Sequence, residues 1–299
     1  MSFVEEQALR AQEIEGKIKE FLPEECGYQS KVIEAMNYSM QAGGKRIRPM
    51  LMVETFKLCG GEGDVVWPLA VALEMVHNYS LVHDDLPCMD NDEYRRGRKT
   101  THVVFGEGMA TLAGDGLLNY AMEVALKAFD VEGMEPHKVS QAVRVLFRKS
   151  GIYGMIGGQC ADINAEDMDR DEINEELLLY IHENKTAALI EAAMMIGGIL
   201  AGATDITIRT LEKIAYNVGI AFQIMDDILD VTATFEELGK PIGSDERNNK
   251  VTYVTLHGLE ESKAEVKRMS EEAITLIHTL PGDNPFLEEL LESMITRRK

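Results

Sequence analysis

Basic residues are scarce in this 299-residue chain, where 30 Lys and Arg stand against 51 Asp and Glu for a formal charge of −21 at pH 7. That balance excludes a general nucleic-acid binder or a binder of anionic membranes, because both need basic surface to neutralise phosphate. An anionic ligand must then be met by local Lys and Arg or by metal ions. Cysteine is sparse too. Cys26, Cys59, Cys88 and Cys160 lie far apart with no CxxC pair, which fits reduced thiols in a cytoplasmic protein and argues against a disulfide framework or a thiolate metal site. Long apolar runs are missing. The longest, "AAMMIGGILAGA", occupies only residues 192–203, short of the ~20 residues that span a bilayer, and it reads as a buried core helix. The opening "MSFVEEQALR" lacks the basic-then-apolar plan of a signal peptide, and Ser2 and Glu5 have capping-box spacing for a first helix.

The alternation of β-branched and aromatic residues that marks strands is nearly absent as well. What is present is a 45% hydrophobic chain with apolar residues at three- and four-residue spacing and many helix formers, so the expected class is all-α. Breaks fall near Pro23, Gly43-Gly44, Gly60-Gly61, Pro87, Gly106 to Gly108, Pro136, Gly239 to Gly243 and Pro281. They leave roughly ten to twelve helices, the last starting at Asn284-Pro285. No Ser/Gly/Pro-rich linker divides the chain, so a single domain over residues 1–299 is expected.

Two apolar segments end in paired aspartates: "LVHDDLPCMD" with Asp84, Asp85 and Asp90, and "FQIMDDILDV" with Asp226, Asp227 and Asp230. In the second, Asp226 and Asp230 are four apart and share a helix face with Gln223, while Asp227 points about 100° away. Ionised carboxylates in such apolar surroundings need a cation between them, either Lys/Arg from another helix or a divalent metal. In the first, Asp84 and Asp90 would stand about 120° apart on an unbroken helix. Pro87 supplies a break that lets the chain fold Asp90 back toward Asp84. An all-oxygen donor set of this kind suits Mg²⁺, which takes one or two carboxylates and completes its shell with water and substrate phosphate.

Cations for such phosphates are at hand. "GGKRIRP" carries Lys45, Arg46 and Arg48; Arg95 and Arg96 follow the first aspartates; "HENKT" puts His182, Lys185 and Thr186 on one turn; and Lys240 and Lys250 flank a Gly-rich loop. Arg donates a planar fork to phosphate, whereas Lys acts as a mobile point charge. His77 precedes Asp84 by two helical turns on the same face. Asp92, Glu93 and Arg98 read as a solvated loop. Gly151, Gly154 and Gly158 are spaced to let two helices approach closely, and Gln159 with Asp162 forms a polar pair that is either core or support for a site. "DMDRDEINEE" mimics a calcium loop but has Glu172 where Gly is needed and Leu178 at the final ligand position.

Taken together these motifs resemble the trans-prenyl diphosphate synthases, whose two aspartate-rich motifs look like DDxxxxD followed by RRG, and DDxxD. "GGKRIRP", "EMVHNYSLVHDD", "GDGLL", "GQCAD", "HENKT", "FQIMDDILD" and "GKPIGSDERNNKVTY" occur in that family's order and cover most of the chain. The resemblance implies a helical bundle around a deep central cavity (the isoprenoid synthase fold), a homodimer, and head-to-tail condensation of isopentenyl diphosphate with an allylic diphosphate such as dimethylallyl or geranyl. It assigns Lys45, Arg48, His77 and Arg96 to isopentenyl diphosphate. It assigns three Mg²⁺ to Asp84, Asp90 and Asp226, with Asp85 and Asp230 assisting, and Arg95, Lys185, Lys240 and Lys250 to the allylic diphosphate. Thr186 and Gln223 would lie beside the developing cation.

Tyr79, five residues before Asp84, resembles the aromatic at that place in bacterial farnesyl diphosphate synthases, which also carry the two-residue insertion around Leu86-Pro87; plant geranylgeranyl synthases share the insertion but have a smaller or flexible residue at the place of Tyr79. Tyr79 with its neighbour Ser80 therefore points to a C15 product, the alternative being geranylgeranyl or longer. A class I terpene cyclase is disfavoured by "GGKRIRP" and His77, which supply a second diphosphate site. A non-catalytic subunit is disfavoured because all six aspartates are present, and a di-iron bundle would want ExxH pairs.

Overall fold

The computed structural model describes residues 1–232 and 251–296, and their regular structure is helical apart from two two-residue strands. Twelve of the described helices have seven residues or more, as the apolar spacing predicts. No described helix is long and apolar enough to cross a membrane. The chain folds as two compact units, the first comprising Met1–Val53 and Glu62–Val143, the second Glu54–Gly61 and Arg144–Lys299.

In the first unit, α1 (Phe3–Phe21) opens on the expected capping box: Glu5 N–H donates to the Ser2 hydroxyl and Ser2 N–H to the Glu5 carboxylate. After α2 (Ser30–Met40) and α3 (Ile47–Leu58), whose residues 54–58 belong to the second unit, comes α4 (Val66–Asp84). A helix apolar all round belongs inside, and α4 is buried along nearly its whole length. It packs chiefly on α6 (Glu107–Leu126), whose buried residues include Ala110, Ala113, Gly114 and Ala121. A hairpin of β1 (Tyr94–Arg95) and β2 (Arg98–Lys99) and the short α5 (Thr101–Phe105) lie between α4 and α6 in the chain. Its turn residues Arg96 and Gly97 both have left-handed backbone, φ 53° and 75°, the conformation whose twist matches a two-residue hairpin. α7 (Pro136–Ser150) begins in this unit and ends in the second.

The second unit contains α8 (Met155–Glu166), α9 (Glu175–Ile181), a π-helical turn (His182–Ala187), α10 (Ala188–Ala201), α11 (Asp205–Thr232), α12 (Tyr253–His257), α13 (Leu259–Ile277) and α14 (Pro285–Ile295). α10 carries the longest apolar run and is buried almost throughout. Its one carboxylate, Glu191, is offset by the Lys149 ammonium, which also reaches Glu212 at 2.9 Å. Asn284 caps α14 by accepting the Leu287 N–H, with Pro285 in the first turn as expected. The failed calcium motif is a 3-10 turn, Arg170–Glu172, closed by its own Asp169–Glu172 capping box.

Candidate active site

Helix α4 stops at Asp84, and Pro87 turns the chain through a compact loop in which the Asp90 N–H donates to the Asp84 carbonyl at 2.8 Å and the Asn91 N–H to that of Leu86 at 3.1 Å. The proline break thus brings the backbone of Asp90 onto that of Asp84, as the sequence predicts. Asp84 is half-buried and Asp90 exposed. Asp85 differs from both. It is 4% exposed, and its Oδ1 accepts from Arg95 Nε and Nη2 at 2.7 and 2.6 Å. Burial raises its pKa against the pull of that guanidinium. Arg95 also meets Asp92 at 3.4 Å, so Asp92 is a partner rather than purely solvated.

The hairpin that carries Arg95 is docked on the end of α2 and the glycines after it. Arg96 donates to the Gly43 carbonyl, Arg98 donates to that of Gln41 at 2.9 Å and lies 4.3 Å over the Tyr38 ring, and the Tyr38 hydroxyl donates to the Lys99 carbonyl at 2.8 Å. Arg98 is therefore a docking residue, not the solvated charge expected.

Within "GGKRIRP" the three cations part company. Lys45 is exposed. Arg46 is 2% exposed and fully committed: to Glu15 at 2.6 Å, Glu74 at 2.6 Å and the Met40 carbonyl at 2.5 Å. This removes it from the phosphate-binding candidates, since a buried guanidinium needs all its donors met. Arg48 lies with Nη1 3.3 Å from His77 Nε2, and its Nε is buried without a hydrogen-bond partner among the described residues. Burial, Arg48 and then Arg96, Arg46 and Arg95 hold the His77 pKa well below the ordinary range, so the ring is neutral. The Arg48 and Arg96 pKa values are likewise lowered, first by burial and in part by neighbouring guanidinium groups. In an acidic chain, this unit contains a local basin of positive potential.

Tyr79 is buried, with its ring edge-to-face on His83, centroids 5.9 Å apart. Burial and Asp84 raise its pKa to about 12. Ser80 donates to the His77 carbonyl one turn back at 2.9 Å.

In the second unit the π-turn presents Lys185 and Thr186. Two glycines admit it: a Cβ on Gly158 of α8 would lie 2.1 Å from Lys185 N, and one on Gly219 of α11 would lie 2.4 Å from the Ala187 Cβ. Gly151 and Gly154, by contrast, face carbonyls of their own turn, so of the three spaced glycines only Gly158 serves a helix approach. Lys185 Nζ donates to Asp162 Oδ2 at 2.5 Å, so Asp162 holds the Lys185 ammonium. Thr186 donates to Gln223 Oε1 at 3.0 Å. Gln223 sits one turn before Asp226 and two before Asp230 on α11, and both aspartates are half-buried on its face. Asp227 points elsewhere: it is 7% exposed, accepts the Tyr253 N–H at 2.9 Å and lies 3.9 Å from His182 Nε2. His182 is therefore buried against a carboxylate and is not a phosphate ligand. Lys240 and Lys250 lie outside the described residues.

No group of three or more His, Cys, Asp or Glu among the described residues forms a metal cage. The donor set fits Mg²⁺ all the same, because that ion is held by one or two carboxylates with water and phosphate completing the octahedron. Asp84 and Asp90 fit as one such pair and Asp226 and Asp230 as another. Sequence reasoning missed the Arg46–Glu74–Glu15 cluster. The signal was Glu74 itself, a carboxylate inside an otherwise apolar helix.

Residues 29–280 match the polyprenyl synthetase family. Over 243 residues the chain is 46% identical to the heterodimeric geranylgeranyl pyrophosphate synthase large subunit 1, chloroplastic, of Arabidopsis thaliana, covering 81% of this chain and 66% of that protein. The geranylgeranyl pyrophosphate synthetase of Pyrococcus horikoshii superposes with a TM-score of 0.88 at 32% identity, over 99% of this chain and 100% of that one. A geranyltransferase of Helicobacter pylori, solved with magnesium and isoprenyl diphosphate, superposes with a TM-score of 0.80 at 31% identity, over 99% and 97%.

Proposed function

The chain belongs to the polyprenyl synthetase family, and from that premise we propose that it joins isopentenyl diphosphate head to tail to an allylic diphosphate, dimethylallyl first and geranyl next. The observation that carries this reading is the charge arrangement of the first unit. His77, whose pKa is lowered by burial first and then by Arg48, Arg96, Arg46 and Arg95, stands with those arginines two helical turns from Asp84, whose partner Asp90 is folded back onto it. One feature accepts a bare anion; the other takes an anion through a cation.

Lys45, Arg48, His77 and Arg96 are the proposed contacts for isopentenyl diphosphate. His77 is neutral and therefore binds as a hydrogen-bonding group, not as a charge. Asp84, Asp90 and Asp226 are the proposed Mg²⁺ ligands, Asp85 and Asp230 assist, and three ions are expected on the allylic diphosphate. Bound Mg²⁺ supplies electrostatic stabilisation of the leaving diphosphate. The protein's own part is to orient the allylic ester, add Arg95 and Lys185 to the developing negative charge, with Lys240 and Lys250 as further candidates, and exclude water from the cation. Thr186 and Gln223, already hydrogen-bonded to each other, offer the cation oxygen dipoles. The alkene is itself the nucleophile and the proton lost after its attack goes to the departing diphosphate, so neither a protein nucleophile nor a protein base is required. The family resemblance supports a homodimer, and light scattering on the purified chain tests it.

Tyr79, buried on α4 before Asp84, supports a C15 main product. The relatives named for geranylgeranyl products support C20 instead. Incubation with isopentenyl diphosphate, dimethylallyl diphosphate and Mg²⁺ decides. Farnesyl diphosphate is the expected main product; a C20 product overturns the Tyr79 assignment and leaves the reaction intact, whereas no condensation at all overturns the reaction.

A further inference from the structure

We propose that Tyr79 limits product length only as half of a braced pair, Tyr79 with His83, and that Gly114 of α6 is the seat that locks the pair. This rests on the reading of Tyr79 as the chain-length residue, and deepens it.

Tyr79 and His83 are one helical turn apart, so their side chains share a face of α4. Their rings meet edge-to-face, with centroids 5.9 Å apart and an interplanar angle of 80°, a favoured aromatic arrangement. His83 is fixed in turn by three groups of α6. Its Nε2 lies 3.0 Å from the Thr111 carbonyl, which sets Nε2 as the protonated nitrogen if it is to donate there. The Asp115 carboxylate is 3.8 Å from the same atom. At position 114 a Cβ would stand 2.1 Å from Nε2 and 2.3 Å from Cδ2, so the imidazole fills the space that any other residue's side chain would claim. Thr111, Gly114 and Asp115 fall at i, i+3 and i+4 of α6, one face presented to one ring.

The consequence concerns rotamers. A side chain stops a growing hydrocarbon only if it cannot swing aside, and a tyrosine has other staggered χ1 wells to enter. The imidazole, packed at 80° to the Tyr79 ring, holds that ring in one of them, and the seat on α6 holds the imidazole. His83 is thereby a positioning residue: it acts on product length through Tyr79.

The test compares His83→Ala, Gly114→Ala, their double variant and Tyr79→Ala, each supplied with isopentenyl and dimethylallyl diphosphates and Mg²⁺, with products resolved by carbon number. The readout is the share of product at least one isoprene unit longer than the wild-type main product, a ratio that a general loss of stability or turnover does not move. The expected result is a rise of roughly two- to tenfold for His83→Ala, the range of a single aromatic contact. Gly114→Ala raises the same share by displacing the ring, and adds nothing in the double variant because it acts through His83. If Gly114→Ala yields no folded enzyme, His83→Ala decides alone. An unchanged share for His83→Ala beside a lengthened product for Tyr79→Ala overturns the brace and spares the Tyr79 assignment. An unchanged share for Tyr79→Ala overturns that assignment and the brace with it.

Discussion

At Asp84 and Asp85 the helix stops, whereas at Asp226 and Asp227 it runs on to Thr232. Both backbones nevertheless sort their aspartate pair in the same way. The first member is half-buried, while the second is buried and bound, Asp85 by the Arg95 guanidinium and Asp227 by the Tyr253 main-chain N–H. Adjacent residues on a helix diverge by about 100°, so a DD pair sets its two carboxylates on different faces. It can aim one and anchor with the other. "GGKRIRP" repeats the division with cations: Arg46 anchors on Glu15 and Glu74, and Arg48 is left beside His77.

The sharpest way to break this comparison is to remove a presenting residue. Asp84→Ala and Asp226→Ala are each expected to lower turnover by three orders of magnitude or more, roughly 4 kcal/mol or above, the range of electrostatic stabilisation lost at a leaving group. Both side chains are half-buried, and their unfolding free energies should change by about 1 kcal/mol, the ordinary cost of a single substitution and far less than the loss in turnover. Near-normal turnover in steady-state assays removes either residue from the proposed metal shell.

Removing an anchor should invert that pattern. Glu74→Ala removes the buried carboxylate partner of Arg46 and leaves it the more exposed Glu15, and is expected to cost about 3 kcal/mol in urea unfolding, against about 1 kcal/mol or less for the more exposed partner in Glu15→Ala. Asp227→Ala deprives the buried Tyr253 N–H of its acceptor, at about 1–3 kcal/mol, while Asp227→Asn keeps an acceptor oxygen and should recover most of that loss. Equal costs for the Ala and Asn variants would show that Asp227 contributes charge and not an anchor.

The smallest effect is pH-dependent. The His77 pKa is lower folded than unfolded, so the unfolded chain binds the proton first, and stability falls as pH drops below the unfolded value near 6.5, by at most about 1.4 kcal/mol per pH unit. Above that pH, where both states are neutral, the contribution is flat. His77→Gln should flatten the stretch from pH 6.5 toward 5 in denaturant midpoints measured across pH. Parallel curves for parent and variant would contradict a neutral His77.

Local rules were readable in the sequence because each needs only a few neighbouring residues. The Ser2–Glu5 capping box, the Asn284-Pro285 start, the shared face of Asp226 and Asp230, and the folding back of Asp90 after Pro87 are of this kind. Partners that lie far along the chain were not readable. Arg46 and Arg48 look equivalent in "GGKRIRP", and only the arrival of Glu15 and Glu74 separates them. His182 looks like a phosphate cation until Asp227 is found against it. The spaced glycines read as one packing stripe, but the π-turn that Gly158 admits depends on tertiary packing, which no helical period encodes.

Arg95 and Arg96 are joined by a single peptide bond, yet one grips Asp85 and the other the Gly43 carbonyl. That makes the hairpin a short lever whose two arms end at the aspartate loop and at the glycine loop. Only one peptide unit separates the two grips, so a substitution in the turn, at Gly97, should register at both loops.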